Sequence, residues 1–201
     1  MSALAQLDIL DLSAAIAALP RRPGAQPIPP RTRHDWITFH YSAVAYADRS
    51  TAAERARVLD EARYHLQKNW GKAGQPPIYG DRFMYDLVVL SDGTVVRTGD
   101  PRQLWHCGNA IGNETSWSVH VMLGGQQDLT QPQRLALYQV FDALRADHSI
   151  AREHVVAHCE WPKARRPAVP FPTYRQQIGQ SACPGPVLFR HVAAYRAGKD
   201  H

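Results

Sequence analysis

The chain carries ten histidines and three cysteines, Cys107, Cys159 and Cys183, so metal ligation is the first chemistry to weigh. Two imidazoles and one thiolate form a complete protein ligand set for a catalytic zinc ion and leave a fourth position open. His40 lies near the end of the apolar run Trp36-Ile37-Thr38-Phe39-His40, and His158 closes a second run, His154-Val155-Val156-Ala157-His158. Cys183 sits in Ala182-Cys183-Pro184-Gly185-Pro186, a stiff turn that would hold a thiolate still. A lone histidine is more often a core or surface residue than a ligand, and composition does not single out these three. His154 and His158 stand four apart, as in HExxH zinc proteases, but the glutamate that acts as base there is missing. Two adjacent valines favour a strand instead, so that reading is rejected. An odd cysteine count argues against a disulfide framework. Cys107 and Cys159 directly follow His106 and His158 and read as buried thiols, because neighbours on a strand face opposite ways.

These residues need elements to hold them. Segment 36–44 alternates Ile37, Phe39 and Tyr41 against Thr38, His40 and Ser42, a strand pattern. Thr51 and Glu54 fit a capping box opening a helix over 52–69, with Leu59, Ala62 and Leu66 on one face. Segments 84–90 and 94–98 read as strands joined by a Ser91-Asp92-Gly93 hairpin turn. A strand over 116–123 follows. Thr130 and Gln133 repeat the capping logic before a helix over 132–147 that turns Leu137, Phe141 and Leu144 inward. A short buried strand over 154–158, a Pro- and Arg-rich loop over 162–175 and a helix over 186–197 close the chain. Residues 3–19 read as an amphipathic helix ending at Pro20, and 21–33 as an extended arm. Hairpins beside longer crossovers indicate an α/β fold with a central mixed β-sheet flanked by helices. We expect one domain over 33–201, preceded by an N-terminal helix and Pro/Arg-rich arm over 1–32.

Length and composition agree with this plan. A chain of 201 residues that is 44% hydrophobic can bury a full core. Its formal charge of +5 and pI near 9.3 favour polyanionic partners without choosing among them. Arginines are scattered rather than interleaved with aromatics, which argues against a nucleic-acid surface. No apolar run is long enough to span a membrane. The start of the chain carries Asp8 and Asp11 and no early Lys or Arg, a poor secretory signal. A monomer without nucleic-acid or membrane partners is expected.

Seven segments occur in a telling order: FHYSA (39–43), YHLQKNWG (64–71), MYDLVVLSDGTVV (84–96), WHCGN (105–109), SWSVHVMLGG (116–125), VVAHCEWP (155–162) and SACPGP (181–186). Together they resemble the zinc-dependent N-acetylmuramoyl-L-alanine amidases. That superfamily takes in amidase-type phage lysins, bacterial wall-recycling amidases and animal peptidoglycan recognition proteins. The resemblance covers about residues 33–190. It implies that His40, His158 and Cys183 hold Zn2+, with Tyr41 standing where relatives often have a second histidine. It further implies that Tyr85 is the active-site tyrosine, and that His106, Asn113 and Glu160 meet substrate. Two positions depart from the family pattern: His120 stands where some members place a catalytic glutamate, and Ser181 where others place a lysine.

The implied reaction is hydrolysis of the amide between N-acetylmuramic acid and L-alanine in peptidoglycan or a muropeptide. Zinc lowers the pKa of a coordinated water to about 7 and polarises the carbonyl. Tyr85 is the expected donor to the charge that develops on the carbonyl oxygen. Ser181 would add a weaker hydrogen bond, and His120 would move a proton near neutral pH. The short single-domain plan without a signal points to a phage or prophage lysin, present in the host cytoplasm and then at the cell wall or periplasm. The alternative is a non-catalytic peptidoglycan-binding module of the same fold.

Overall fold

The computed structural model describes residues 2–175 and 181–199. Among them six strands form one sheet: β1 (Ile9–Asp11), β2 (Trp36–Tyr41), β3 (Leu87–Val89), β4 (Val95–Arg97), β5 (Ser116–Val121) and β6 (Val155–Ala157). Their order across the sheet is β1-β4-β3-β5-β2-β6. The β3–β4 hairpin is antiparallel and the other pairings are parallel. Five α-helices accompany them: α1 (Ser13–Ala17), α2 (Thr51–Gln67), α3 (Ala110–Thr115), α4 (Gln131–His148) and α5 (Gly185–Arg196). This is the expected α/β fold with a mixed sheet.

The period of two along each strand sorts the side chains. Ile37, Phe39, Leu87, Val89, Val119 and Val121 point to one face, where Leu137, Phe141 and Leu144 of α4 and Leu188, Val192 and Tyr195 of α5 cover them. Val88, Leu90 and Val96 point to the other, against Ile16 of α1 and Val58 and Ala62 of α2. On that second face the middle of the sheet turns polar. Thr38, His40, Ser118 and His120 are all fully buried there, and buried polar groups need partners. Thr38 Oγ1 lies 2.5 Å from Ser116 Oγ and accepts a hydrogen bond from Trp161 Nε1 at 2.9 Å.

The helix starts differ in detail from the sequence reading. Ser50, not Thr51, caps α2, its hydroxyl accepting from the Ala53 amide. Glu54 closes no capping box. Its carboxylate is buried and accepts from the amide (2.6 Å) and hydroxyl (2.5 Å) of Ser91, which ties α2 to the β3–β4 turn. Thr130 caps α4 as expected by accepting from the Gln133 amide at 3.2 Å, while the Gln133 side chain donates to Val89 O. At the end of β5, a Cβ on Gly124 would lie 2.3 Å from Val44 N. Only glycine lets the loop leaving β2 cross so closely.

The N-terminal segment corrects one expectation. Residues 3–19 do not form one helix. They form a short 3-10 turn (Leu4–Gln6), then β1, then α1. Strand β1 pairs along the outer edge of β4, Ile9 opposite Val95 and Asp11 opposite Arg97, which covers backbone groups that the sheet edge would otherwise leave open. The following arm is also built into the domain. Arg31 donates to Asp86 Oδ2 at 2.8 Å and to Arg102 O, both charged side chains being essentially inaccessible. The same carboxylate oxygen accepts from Ser118 N at 2.8 Å. Arg31→Ala therefore leaves a buried carboxylate unpaired, and a loss of about 3–5 kcal/mol is expected. An unfolding free energy within about 0.5 kcal/mol of that of the unsubstituted chain would refute this role.

Candidate metal centre

His40 reaches the polar face through the alternation of β2. Strand β6 runs beside it, with Phe39 opposite Ala157, and the chain turns into a single 3-10 turn, His158–Glu160, directly afterwards. That turn brings the His158 ring within 4.8 Å of the His40 ring, centroid to centroid. The third member arrives from the loop before α5. Cys159 N donates to Cys183 O at 2.8 Å, Ser181 Oγ accepts from Cys183 N at 3.0 Å, and the Tyr41 amide donates to Cys183 Sγ at 3.4 Å. Cys183 Sγ lies 3.8 Å from His40 Nδ1. The potential ligand atoms of His40, His158 and Cys183 all fall within 4.8 Å of one another. Neighbouring ligands on a tetrahedral ion stand about 3.5 Å apart at usual bond lengths, so the cluster fits a metal ion after a small contraction.

The other nitrogen of His40 is also held: Nε2 lies 2.8 Å from His106 Nδ1. The pair is satisfied when His40 Nε2 carries the hydrogen, which frees the lone pair of Nδ1 on the side facing Cys183. Burial suits both imidazoles to ligation. It holds His40 well below the usual histidine range, with help from His158 and His106, and pushes His158 down to about 4. Burial acts in the opposite sense on Cys183 and pushes its thiol up.

Tyr85 stands beside this cluster, its ring 5.1 Å from that of His40 and stacked on His120 at 4.0 Å. Burial, with smaller contributions from Cys183 and Glu61, raises its phenol well above the usual value, so it remains a donor. His120 Nε2 lies 3.1 Å from Ser42 Oγ and 3.1 Å from Glu61 Oε2. Burial pushes the Glu61 carboxyl up, but His120 and hydrogen bonds from His120 and Ser42 outweigh it and hold it below its usual value.

A cavity of about 750 Å³ opens in front of the cluster, lined by His158, Tyr85, Ser181, His106 and Asn113 among others. His158, Tyr85, His106, Asn113 and Ser181 thus line one groove, His40 and Cys183 cluster with His158 at its edge, and His120 stacks against Tyr85. Asn113 Oδ1 accepts from Cys107 N at 3.1 Å. Glu160 lies apart. Its carboxylate is buried, pairs with Arg196 at 2.7 Å and accepts from the amides of Ala157 (2.7 Å) and Phe171 (2.6 Å). It braces the turn that carries His158 and does not line the groove. Cys107 and Cys159 are free and buried, with burial pushing both thiols up to about 12. His154 turns away from His158, stacking on Trp36 at 3.9 Å with Nδ1 3.0 Å from Asp35 O.

Two further residues of the site come from α2 and were not singled out in the sequence. Glu61 faces His120, as above. His65 accepts from Met84 N at 3.2 Å through Nδ1 and lines the groove, and burial pushes it down to about 3. The available signal was helical spacing: Glu54, Val58, Glu61 and His65 fall on one stripe, and its polar members are the ones with partners on β5 and on the segments either side of β3.

The fold and site define an α/β domain with a His-His-Cys cluster at the head of a groove. The chain belongs to the N-acetylmuramoyl-L-alanine amidase family, whose model matches residues 30–186. No curated protein sequence matches it. Among solved structures, it is similar to the endolysin N-acetylmuramoyl-L-alanine amidase LysCS from Clostridium intestinale URNW. That match has a TM-score of 0.54 and 12% identity and covers 94% of this chain and 95% of that one. It is also similar to bumblebee peptidoglycan recognition protein SA (TM-score 0.62, 13% identity, 92% of each chain). A third match is peptidoglycan recognition protein LE, solved in complex with tracheal cytotoxin, a monomeric diaminopimelic acid-type peptidoglycan (TM-score 0.59, 13% identity, 92% of each chain). At such identities the likeness is one of fold.

The protonation states generate a prediction. At pH 7 both imidazoles are already neutral and the thiol is protonated, so a divalent ion bound by all three should expel about one proton. Calorimetric titration with Zn2+ in buffers of different ionisation enthalpy measures this. Release near zero would remove Cys183 from the ligand set.

Proposed function

We infer that this chain is a zinc-dependent amidase that hydrolyses the bond between N-acetylmuramic acid and L-alanine in peptidoglycan, in the manner of a phage or prophage lysin. The observation that carries this reading is the convergence of His40, His158 and Cys183 beside Tyr85, at the head of a groove, in a chain of the amidase family. When bound, zinc supplies Lewis-acid polarisation of the scissile carbonyl and a more acidic water. The chain's own residues do the rest. His106 holds the orientation of His40. Tyr85 donates its phenolic hydrogen towards the oxygen on which charge develops. His120 is the group that moves a proton, and the Glu61 carboxylate orients it, as a carboxylate orients the base in other hydrolases. Ser181 accepts from the Cys183 amide, so its first contribution is to fix the ligand loop. Its hydroxyl hydrogen remains for the substrate.

A second reading is a peptidoglycan-binding module without hydrolysis, favoured by the likeness to peptidoglycan recognition protein LE with its bound muropeptide. Retention of the three-residue cluster and of Tyr85 supports the enzyme. Mass analysis of digested peptidoglycan decides between them: free stem peptide should appear, and chelation should abolish it. Undiminished release in chelator would exclude the metal mechanism, and tight muropeptide binding without release would favour the module. Tyr85→Phe should lower kcat on the order of 100-fold with zinc affinity unchanged. For Glu61→Gln the expected effect is a fall in kcat on the order of 10-fold, unchanged zinc affinity and partial recovery in Glu61→Asp. An unaltered kcat would remove Glu61 from the reaction.

A further inference from the structure

The two imidazoles of the cluster take their orientation from one short loop. His106 Nδ1 lies 2.8 Å from His40 Nε2, and the ring of His158 donates to the backbone carbonyl of the next residue, Cys107. A hydrogen bond on one ring nitrogen fixes the tautomer and the ring plane, and it leaves the other nitrogen for a metal. Residues 106 and 107 lie outside every strand and helix, so no ladder holds them. Whatever fixes that loop against the turn of His158 fixes both ligands.

Asn109 stands two residues further on and is 1% exposed. Its Oδ1 caps α3 by accepting from Gly112 N at 3.0 Å. Its Nδ2 donates to three carbonyl oxygens, those of Pro162 (2.8 Å), Ala164 (2.6 Å) and Arg166 (3.1 Å). These belong to the segment that leaves the His158 turn. Two amide hydrogens are shared among three acceptors, so the donor side of this side chain is saturated. The segment has little else to hold it. Residues 163–167 expose their side chains, and the Arg165–Glu114 ion pair that also joins it to α3 is exposed and therefore weak. Beneath it there is no slack: a Cβ on Gly112 would lie 2.4 Å from Cys107 Sγ and 2.9 Å from Trp161. Residues 107–109 and 158–162 are thus joined by two rungs, His158 to Cys107 and Asn109 to Pro162.

We propose that Asn109 is a positioning residue for the metal cluster: its side-chain amide locks the loop that orients His40 and His158 onto the segment that follows His158. It acts through His106 and the Cys107 carbonyl, not by contact with metal or substrate. The cap and the lock use different atoms of one side chain. Aspartate and serine both keep the cap, and both remove the Nδ2 donors. Aspartate also sets a negative charge against three carbonyl oxygens. The proposal rests on the reading of His40, His158 and Cys183 as a zinc site.

The test uses metal binding, so that it stands apart from hydrolysis. The Zn2+ affinity of the full-length protein is measured by competition with a chromophoric chelator. Co2+ bound in place of zinc reports the ligand geometry through its visible absorption. Asn109→Asp and Asn109→Ser should each raise the Kd for zinc on the order of 10- to 100-fold, aspartate more than serine, and should shift the Co2+ spectrum. Far-ultraviolet circular dichroism should stay that of the unsubstituted chain. Arg165→Ala, which cuts the exposed tie between the same segments, should change neither Kd nor spectrum. Should Asn109→Asp fail to fold, Asn109→Ser carries the test alone. The proposal is overturned if a folded Asn109 variant loses only unfolding free energy, with zinc affinity and Co2+ spectrum unchanged, or if Arg165→Ala weakens zinc as much. Failure of the unsubstituted protein to bind either ion would overturn the zinc reading itself, and the proposal with it.

Discussion

Strand β2 lies between two parallel neighbours, β5 and β6, and its period of two leaves no choice about where its side chains go. Ile37 and Phe39 must enter the core under α4 and α5, so Thr38 and His40 must face the other way. A register slip of one residue would turn His40 into the apolar layer under α4 and α5 and Phe39 onto the buried polar face, leaving polar groups without partners on one side and losing core packing on the other. The rest of the site depends on that constraint. With β2 in place, β6 delivers His158, β5 sets His120 opposite His40, and the Tyr41 amide is left pointing at Cys183 Sγ.

Burial then prepares the chemistry. Three potential ligands sit in a region that penalises charge, so the imidazoles are neutral and the thiol keeps its proton until a cation compensates the thiolate. The same environment keeps Tyr85 protonated as a donor. The supporting contacts are mostly between elements far apart in the chain: His106 to His40, Cys159 to Cys183, Glu160 to Arg196. Each fixes the orientation of a residue that local structure alone would leave free to rotate.

Helix α2 links the site to the frame. One end is fastened through Glu54 to the β3–β4 turn, and further along the same stripe Glu61 and His65 reach His120 and Met84 N. A stripe with this many polar members is a weak hydrophobic pattern. That explains why its periodicity points to Leu59, Ala62 and Leu66 rather than to the carboxylate and imidazole that serve the groove.

The sequence by itself determined most of the elements from β2 onward and their faces. Alternation marked the strand bearing His40, turn residues marked the β3–β4 hairpin, and Thr130 marked the start of α4, because these features depend on neighbours within a few positions. The ordered motifs carried the choice of His40, His158 and Cys183 and the family that the chain belongs to. Only the tertiary structure decided the rest. It broke the N-terminal segment into a 3-10 turn, an edge strand paired with β4 and a short helix, because the open edge of the sheet lies beside it. It sent Glu160 to Arg196 and away from the groove. It brought Glu61 to His120 and set Arg57 over the ring of Tyr46. Pairings across dozens of residues are set by packing and by the need to satisfy buried polar groups, and no local pattern records them.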